Sequence, residues 1–228
     1  MGKINSKNKL YNFFEITYIC LIKKLKLLKK ILPSFSYIFH PIFIPSMATL
    51  FYLFYNSTDF ITQEKLFIFF QVVIVTLIIP ILVFLLLRAT GNIDTIMIAN
   101  IAQRKIPLVV HSFLLILLVR KSITIDRYPE LHFFFLGALM STLLALILLF
   151  LNSKASLHTI AISSLTVFII GLSLHFHIQS IPTITLLILL NGIIASSRLE
   201  MNAHTNNELL MGFFIGAIPQ LLLLYLWL

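Results

Sequence analysis

A group of polar residues near the carboxyl-terminal end of the chain combines a base, an acid and a cation at short spacing. Ser197-Arg198 is followed by five residues, His204, three residues and Glu208, all between two apolar runs. If a helix begins near His204, the carboxylate lies on the same face as the imidazole and can fix its tautomer. The helix start and the guanidinium both suit a phosphate anion. The structural alternative has equal weight, because Thr205-x-x-Glu208 is a capping box.

A second group lies between two other apolar runs, at Lys154, Ser156 and His158. Ser156 precedes an apolar stretch and can serve as a helix cap. A buried, hydrogen-bonded histidine is the favoured interpretation of His158 when this stretch is taken alone. The group gains interest only if it shares a membrane face with His204.

A third group is the basic pair Arg104 and Lys105, which precedes Pro107. The pattern predicts that Pro107 lies in the first turn of a helix. Anchoring of a span end by basic residues is the favoured interpretation of this pair alone.

The elements that position these groups are membrane helices. Of the 228 residues, 59% are hydrophobic and 11% are charged, whereas a soluble domain carries about 25% charged residues. The apolar runs are continuous and do not alternate, which favours helices over a spanning barrel. The net charge of +9 indicates an anionic membrane surface and not nucleic acid as its partner. We expect spans at about 35–56, 66–88, 106–120, 131–151, 157–176, 182–197 and 208–228.

The fold class predicted from these runs is all-α: a polytopic transmembrane bundle of about six to seven spans. Residues 1–33 form a separate basic segment, and residues 34–228 form the bundle. Within the basic segment, five lysines alternate with apolar residues before Pro33. This pattern predicts an amphipathic helix that lies in the membrane interface and ends at Pro33.

The alternation of spans predicts which links share a membrane face. The links at 89–105, 152–156 and 198–207 are separated by pairs of spans, so all three polar groups emerge on one side. The links at 57–65, 121–130 and 177–181 emerge on the other side. The basic amino-terminal segment and the basic residues of the first three links predict that the shared face is cytoplasmic.

The order of the three groups resembles the type 2 phosphatidic acid phosphatase superfamily of membrane lipid phosphate phosphatases. The third motif of that superfamily matches in spacing at Ser197, Arg198, His204 and Glu208, with glutamate in place of aspartate. The second is kept as Ser156 and His158, and it has lost its proline and glycine. The first is reduced to residues 104–107, and the lysine expected six residues upstream is absent. The segment "IFHPIFIPS" and the span pattern resemble a divergent branch of small bacterial membrane proteins in this superfamily.

The resemblance implies a reaction and a role for each side chain. His204 is expected to attack phosphorus and form a phosphohistidine, Glu208 to orient His204, and His158 to protonate the leaving oxygen. No metal or cofactor is implied. The implied substrate is a lipid phosphate or polyprenyl phosphate, and the implied location is a bacterial inner membrane. The expected phosphate-binding side chains are Arg198, Ser156, Lys154, Arg104 and Lys105.

Three alternatives remain open at this stage. Leu157 stands where the superfamily has glycine, and its side chain hinders close approach of the backbone to a phosphate. The chain is therefore also compatible with an impaired phosphatase that binds anionic lipid without turning it over.

A metal site of His158, His204 and Glu208 is disfavoured by the nearby cations. Superfamily members that act on lipid carriers often face outward, which conflicts with the charge rule.

Overall fold

The computed structural model describes residues 30–56, 60–93 and 101–228, with the backbone alone for residues 101 and 102. Within these ranges the chain is built of helices, with no strand among them. Six helices are long and apolar enough to cross a membrane. The protein is therefore an all-helical integral membrane protein, and the fold class predicted from the sequence is confirmed.

Eight helices form the described part of the bundle. A short 3₁₀ turn at Pro41–Phe43 joins the first two, which together make one candidate span, Lys30–Tyr55. Two π segments are present in this part: Ile74–Ile78 lies inside the third helix, and Leu118–Ser122 extends the fourth. The helices are α1 at residues 30–38, α2 at Ile44–Tyr55, α3 at Thr62–Ala89, α4 at Ile101–Leu117, α5 at Pro129–Phe150, α6 at Leu157–His175, α7 at Ile181–Glu200 and α8 at Asn206–Leu224.

Two predicted helix boundaries are wrong. Most of the expected amphipathic helix lies outside the described residues, but α1 continues through Pro33 to residue 38. The helix breaks at the next proline, because His40 before Pro41 has an extended backbone (φ −64°, ψ 140°). Pro107 was expected in the first turn of a helix and lies instead inside α4. Prolines within membrane helices are tolerated where neighbouring groups satisfy the backbone.

The central helix is α6, of which two thirds is buried. Its sequence carries several small polar residues, and their hydroxyls bond to carbonyl groups of the same helix; examples are Ser163 to Ile160 (3.1 Å) and Thr166 to Ile162 (2.8 Å). Ser164 also donates across the helix pair to the carbonyl of Gly216 in α8 (2.9 Å). Small side chains with satisfied hydroxyls allow a neighbouring helix to approach closely.

Two glycines of α8 provide that close approach. A Cβ atom on Gly212 would lie 2.2 Å from Thr159 Oγ1 and 2.7 Å from the Ser156 carbonyl oxygen. A Cβ atom on Gly216 would lie 2.2 Å from the Ile160 carbonyl oxygen. The Gly-x-x-x-Gly pair therefore sets the distance between the first turns of α6 and α8.

Polar contacts at the two ends of the bundle show that the helices alternate in direction. At one end, contacts join the carboxyl-terminal ends of some helices to the starts of others; they are Tyr55 with Ser180 and His175 with Glu130 (3.1 Å). The groups of residues 154–158 and 198–208 lie together at the opposite end. This arrangement agrees with the shared face predicted from the links.

Candidate functional site

His204 and Glu208 form the centre of the candidate site. His204 lies in the link between α7 and α8, and its Nδ1 is 2.7 Å from Glu208 Oε2. Because an ionised carboxylate can only accept, Nδ1 carries the proton and the neutral ring keeps its lone pair on Nε2. The His204 side chain is 2% exposed, so the tautomer is fixed in a largely dry environment.

Glu208 also caps the helix that it belongs to. Its Oε2 accepts from the backbone N–H of Thr205 (3.3 Å), and the Thr205 hydroxyl accepts from the N–H of Glu208 (3.4 Å). The capping box and the pairing with His204 are therefore both present. Lys154 Nζ lies 3.8 Å from the same oxygen, so the carboxylate accepts two hydrogen bonds and forms one ion pair.

Two arginines surround this pair. Arg198, at the end of α7, is 4% exposed, and Arg104 lies in the first turns of α4. Both interact electrostatically with His204, and Arg104 also interacts with Glu208. Burial lowers the pKa of His204 to about 4, the two arginines act in the same direction, and the bond to Glu208 opposes them. His204 is consequently neutral at pH 7.

His158 joins the site from the start of α6. It is buried, and it interacts electrostatically with Arg198 and His204. Its Nε2 is 3.1 Å from the carbonyl oxygen of Ser36, which can only accept, so Nε2 carries a proton. The ring of His40 contacts it edge to face, with 5.2 Å between ring centres.

Ser156 is a helix cap in this structure. Its hydroxyl accepts from the N–H of Thr159 (3.5 Å), and its own N–H donates to the backbone carbonyl of Glu208 (3.1 Å). The second bond ties the start of α6 to the first turn of α8, so two helix amino-terminal ends adjoin. Contact of the Ser156 hydroxyl with a phosphate stays a prediction.

The structure separates the roles of Arg104 and Lys105. Lys105 Nζ packs over the ring of Phe150, 4.9 Å from its centre. Arg104 interacts with His204, Glu208 and Arg198, so of this basic pair it is Arg104 that the fold brings to the site. A small cleft adjoins Arg104, and its other walls are the apolar side chains of Leu108, Ala145, Leu149, Ala155 and Leu157.

Sequence reasoning missed the contribution of the first span. Ser36 contacts both Ser197, with 2.6 Å between the two hydroxyl oxygens, and His158. His40 caps the turn at Pro41–Phe43, since its Nδ1 accepts from Ile42 N (3.4 Å), and its ring also lies against His158. No spacing in the sequence relates Ser36 to residues more than 120 positions away.

The metal-site alternative gains no support from the geometry. Among the described residues, which include His158, His204 and Glu208, no three or more histidine, cysteine or acidic side chains converge closely enough to hold a metal ion. The nearby positions are taken by Arg198, Arg104 and Lys154, which repel cations.

Comparison with known proteins identifies no relative. No family model, no curated protein and no solved structure matches the chain.

Proposed function

We propose that this protein is an integral-membrane phosphatase that hydrolyses a lipid phosphate or diphosphate through a phosphohistidine intermediate. The observation that carries the proposal is the bond from His204 Nδ1 to Glu208 Oε2 (2.7 Å). This bond leaves the lone pair of Nε2 for attack, and two arginines interact electrostatically with the same ring. The resemblance to the type 2 phosphatidic acid phosphatases motivates the choice of reaction, and a bacterial inner membrane remains part of the proposal.

In the proposed first step, His204 Nε2 attacks phosphorus, and the bond between phosphorus and the lipid oxygen breaks. His158 takes up a second proton, on Nδ1, when the anionic substrate binds; the leaving oxygen then takes its Nε2 proton, and the ring that is left is neutral. Arg198, Arg104 and Lys154 offset the negative charge that builds on the phosphoryl oxygens. Glu208 stabilises the positive charge that His204 acquires when Nε2 becomes bonded to phosphorus.

In the second step, water attacks the phosphohistidine. The water loses a proton to His158, the bond between nitrogen and phosphorus breaks, and inorganic phosphate leaves. His204 returns to its neutral tautomer and His158 is again protonated on Nε2. Atoms and charges therefore balance over the cycle without a metal or cofactor.

The test measures release of inorganic phosphate by purified protein in mixed micelles of detergent and phospholipid. Phosphatidate, a polyprenyl phosphate and a polyprenyl diphosphate are offered in turn. We expect His204→Ala to lower the rate by about 10³- to 10⁶-fold, as removal of a nucleophile does. His177→Asn is the matched control, because it removes an exposed imidazole at the opposite end, and asparagine tolerates the left-handed backbone there (φ 52°).

Two results would contradict the proposal. Equal rates for wild type and His204→Ala would remove His204 from the mechanism. Absence of an acid-labile, alkali-stable phosphoprotein after rapid quenching of a reaction with radiolabelled substrate would remove the covalent intermediate.

The second candidate is a non-catalytic protein that binds anionic lipid at the same place. It is favoured by the capping role of Glu208, which explains this residue without chemistry. It predicts that vesicles containing phosphatidate bind the protein and that Arg198→Gln weakens binding, with no phosphate released. The same phosphate-release assay therefore separates the two candidates.

A further inference from the structure

The end of α1 lies across the candidate site and makes polar contacts with two of its elements. The hydroxyls of Ser36 and Ser197 are 2.6 Å apart, and both residues are fully buried. The Ser36 carbonyl accepts from His158 Nε2 (3.1 Å). The next residue, Tyr37, interacts electrostatically with Arg198.

The Ser36 carbonyl accepts from His158 because the helix stops nearby. The last four carbonyls of a helix lack partners within the helix. His40 is extended and begins the turn at Pro41–Phe43, so the regular ladder is interrupted there. A histidine more than 120 residues away in sequence supplies a donor.

The same proton has a second use in the proposed reaction. His158 Nε2–H is the group that protonates the leaving oxygen, and in this structure it bonds to the Ser36 carbonyl oxygen. That carbonyl oxygen therefore stands where the leaving oxygen of a substrate would accept its hydrogen bond. The Ser36 hydroxyl meets Ser197, which adjoins the arginine that would contact the phosphoryl group.

We propose that α1 is a lid: Ser36 occupies the position of the substrate's leaving oxygen, and α1 must move before the site can hold a phosphate ester. This inference rests on the proposed function, because it assigns a reactive role to the proton of His158. The hinge is the interrupted helix between Phe39 and Ile44, where His40 caps the turn and its ring contacts His158. In the closed state the chain protects His158 from other acceptors.

The composition of α1 suits such a movement. Its outward side chains are apolar: Ile31 is 47% exposed, Tyr37 55% and Ile38 63%. In a bilayer these side chains meet lipid in either position, so displacement of α1 along the membrane boundary transfers little apolar surface to water. Opening must break the pair of contacts made by Ser36 and the packing of Phe35 and Phe39 against the core.

A reversible cross-link tests the lid. Cys20 is the only cysteine of the chain, so the background is Cys20→Ser, and the test variant adds Ser36→Cys and Ser197→Cys. Phosphatidate turnover and the shift in melting temperature caused by orthovanadate are measured with oxidant and after reduction. We expect the oxidised protein to lose at least ten-fold in rate and to lose the vanadate shift, and reduction to restore both. The two single-cysteine variants, treated with the same oxidant, are the controls.

The outcomes distinguish the lid from the proposed function. If the cross-linked protein turns over phosphatidate and binds vanadate as well as the reduced one does, or if no disulfide forms, the lid is wrong and the phosphatase proposal stands. If the reduced protein binds vanadate and releases no phosphate from any lipid, the phosphatase proposal is wrong, and loss of binding on oxidation still supports the lid. If the reduced protein does neither, both proposals are wrong.

A single substitution gives an independent measurement. Ser36→Ala removes the hydroxyl bond that helps to hold α1 closed, so we expect turnover at subsaturating phosphatidate to rise about 2- to 10-fold. The matched control is Ser196→Ala, next to Ser197, because the Ser196 hydroxyl is exposed and bonds only to its own helix at Gly192 (2.8 Å). A rate that is unchanged or lower in Ser36→Ala would contradict the lid.

Discussion

A single carboxylate oxygen of Glu208 accepts from an imidazole and from a backbone N–H, and it pairs with an ammonium group 3.8 Å away. Its two roles, capping α8 and orienting His204, make different demands. Capping needs only an acceptor three residues into the helix, which glutamine also supplies. Stabilising a positively charged imidazole needs the negative charge. The two roles can therefore be separated by substitution.

We expect Glu208→Gln to keep the fold and lose the reaction. Its cap remains, so the melting temperature in detergent should stay close to that of wild type. The turnover rate should fall by about 10²- to 10⁴-fold, the range of a general acid–base contribution. Thr205→Ala is the converse variant: it should cost about 1 kcal/mol of stability through the lost cap and leave the rate near that of wild type. A rate in Glu208→Gln equal to that of wild type would mean that Glu208 only caps the helix.

The neutral state of His204 predicts how stability depends on pH. Burial lowers its pKa to about 4 in the folded protein, against an unfolded value of about 6.5. Between these two pKa values, His204 binds a proton in the unfolded chain but not in the folded protein. The contribution of His204 to the free energy of unfolding is therefore fully present above about pH 6.5 and is lost as the pH falls toward about 4. Melting temperatures in detergent at pH 7.5 and pH 4.5 check this. The difference between the two should be smaller in His204→Gln.

For individual residues, the sequence predicts contacts between pairs that are close along the chain. The spacing of four residues between His204 and Glu208 was sufficient to predict their contact. The contacts of Ser36 with Ser197 and His158 depend on how distant helices pack, which no local spacing encodes. Arg104 and Lys105 were equivalent in the sequence, and the fold separates them because consecutive helical positions point about 100° apart.

Among the helices, α6 and α8 place the two proposed reactive histidines near each other. The Gly-x-x-x-Gly pair of α8 was available in the sequence as a signal of close helix packing. The helix that packs against this pair could not be identified from the sequence, because several spans carry small residues. Either proline could interrupt the helix locally; the end of α1 at Pro41 is additionally held by contacts with His158 and Ser197, which the sequence does not reveal.

We expect Gly212→Ala to push α8 away from α6. The added methyl group would meet Thr159 Oγ1 at 2.2 Å and a backbone carbonyl at 2.7 Å, and overpacking of this kind costs about 1–3 kcal/mol. Thermal unfolding in detergent measures the loss of stability. Gly192→Ala is the matched control: no atom lies within 4 Å of its Cβ position, so alanine there should be neutral or stabilising by up to about 1 kcal/mol. Equal stability of the two variants would contradict the close packing.

Over the whole molecule, the distribution of charge predicts how the protein sits in its membrane. The candidate site end carries Arg88, Arg104, Lys105, Lys154 and Arg198, and the opposite end carries Lys65, Arg120, Lys121 and Arg127. The difference between the ends is small, and it orients the protein only together with the basic amino-terminal segment. The hydrophobic runs were sufficient to predict the helical class, but they do not show which helices pack against each other.

Cysteine labelling in sealed vesicles of known orientation tests this arrangement. In the Cys20→Ser background, single cysteines at Ser153 and Asn207 should react with a membrane-impermeant maleimide from the cytoplasmic side only. Cysteines at Asp126 and Gln179 should react from the other side only. Labelling of all four from one side would contradict the alternation of spans. A clean reversal of the two pairs would keep the alternation and place the site outside.

The length of the central helix α6 also sets the depth in the bilayer at which the candidate site lies. His158 and His175 lie at the two ends of α6, about 26 Å apart at the rise of an α-helix, which is close to the thickness of a bilayer's hydrocarbon core. His158 therefore sits at headgroup level. A phospholipid could present its headgroup here while its acyl chains stay solvated by their neighbours in the leaflet. Extraction into water would be unnecessary, and the dephosphorylated lipid would remain in the monolayer from which it came.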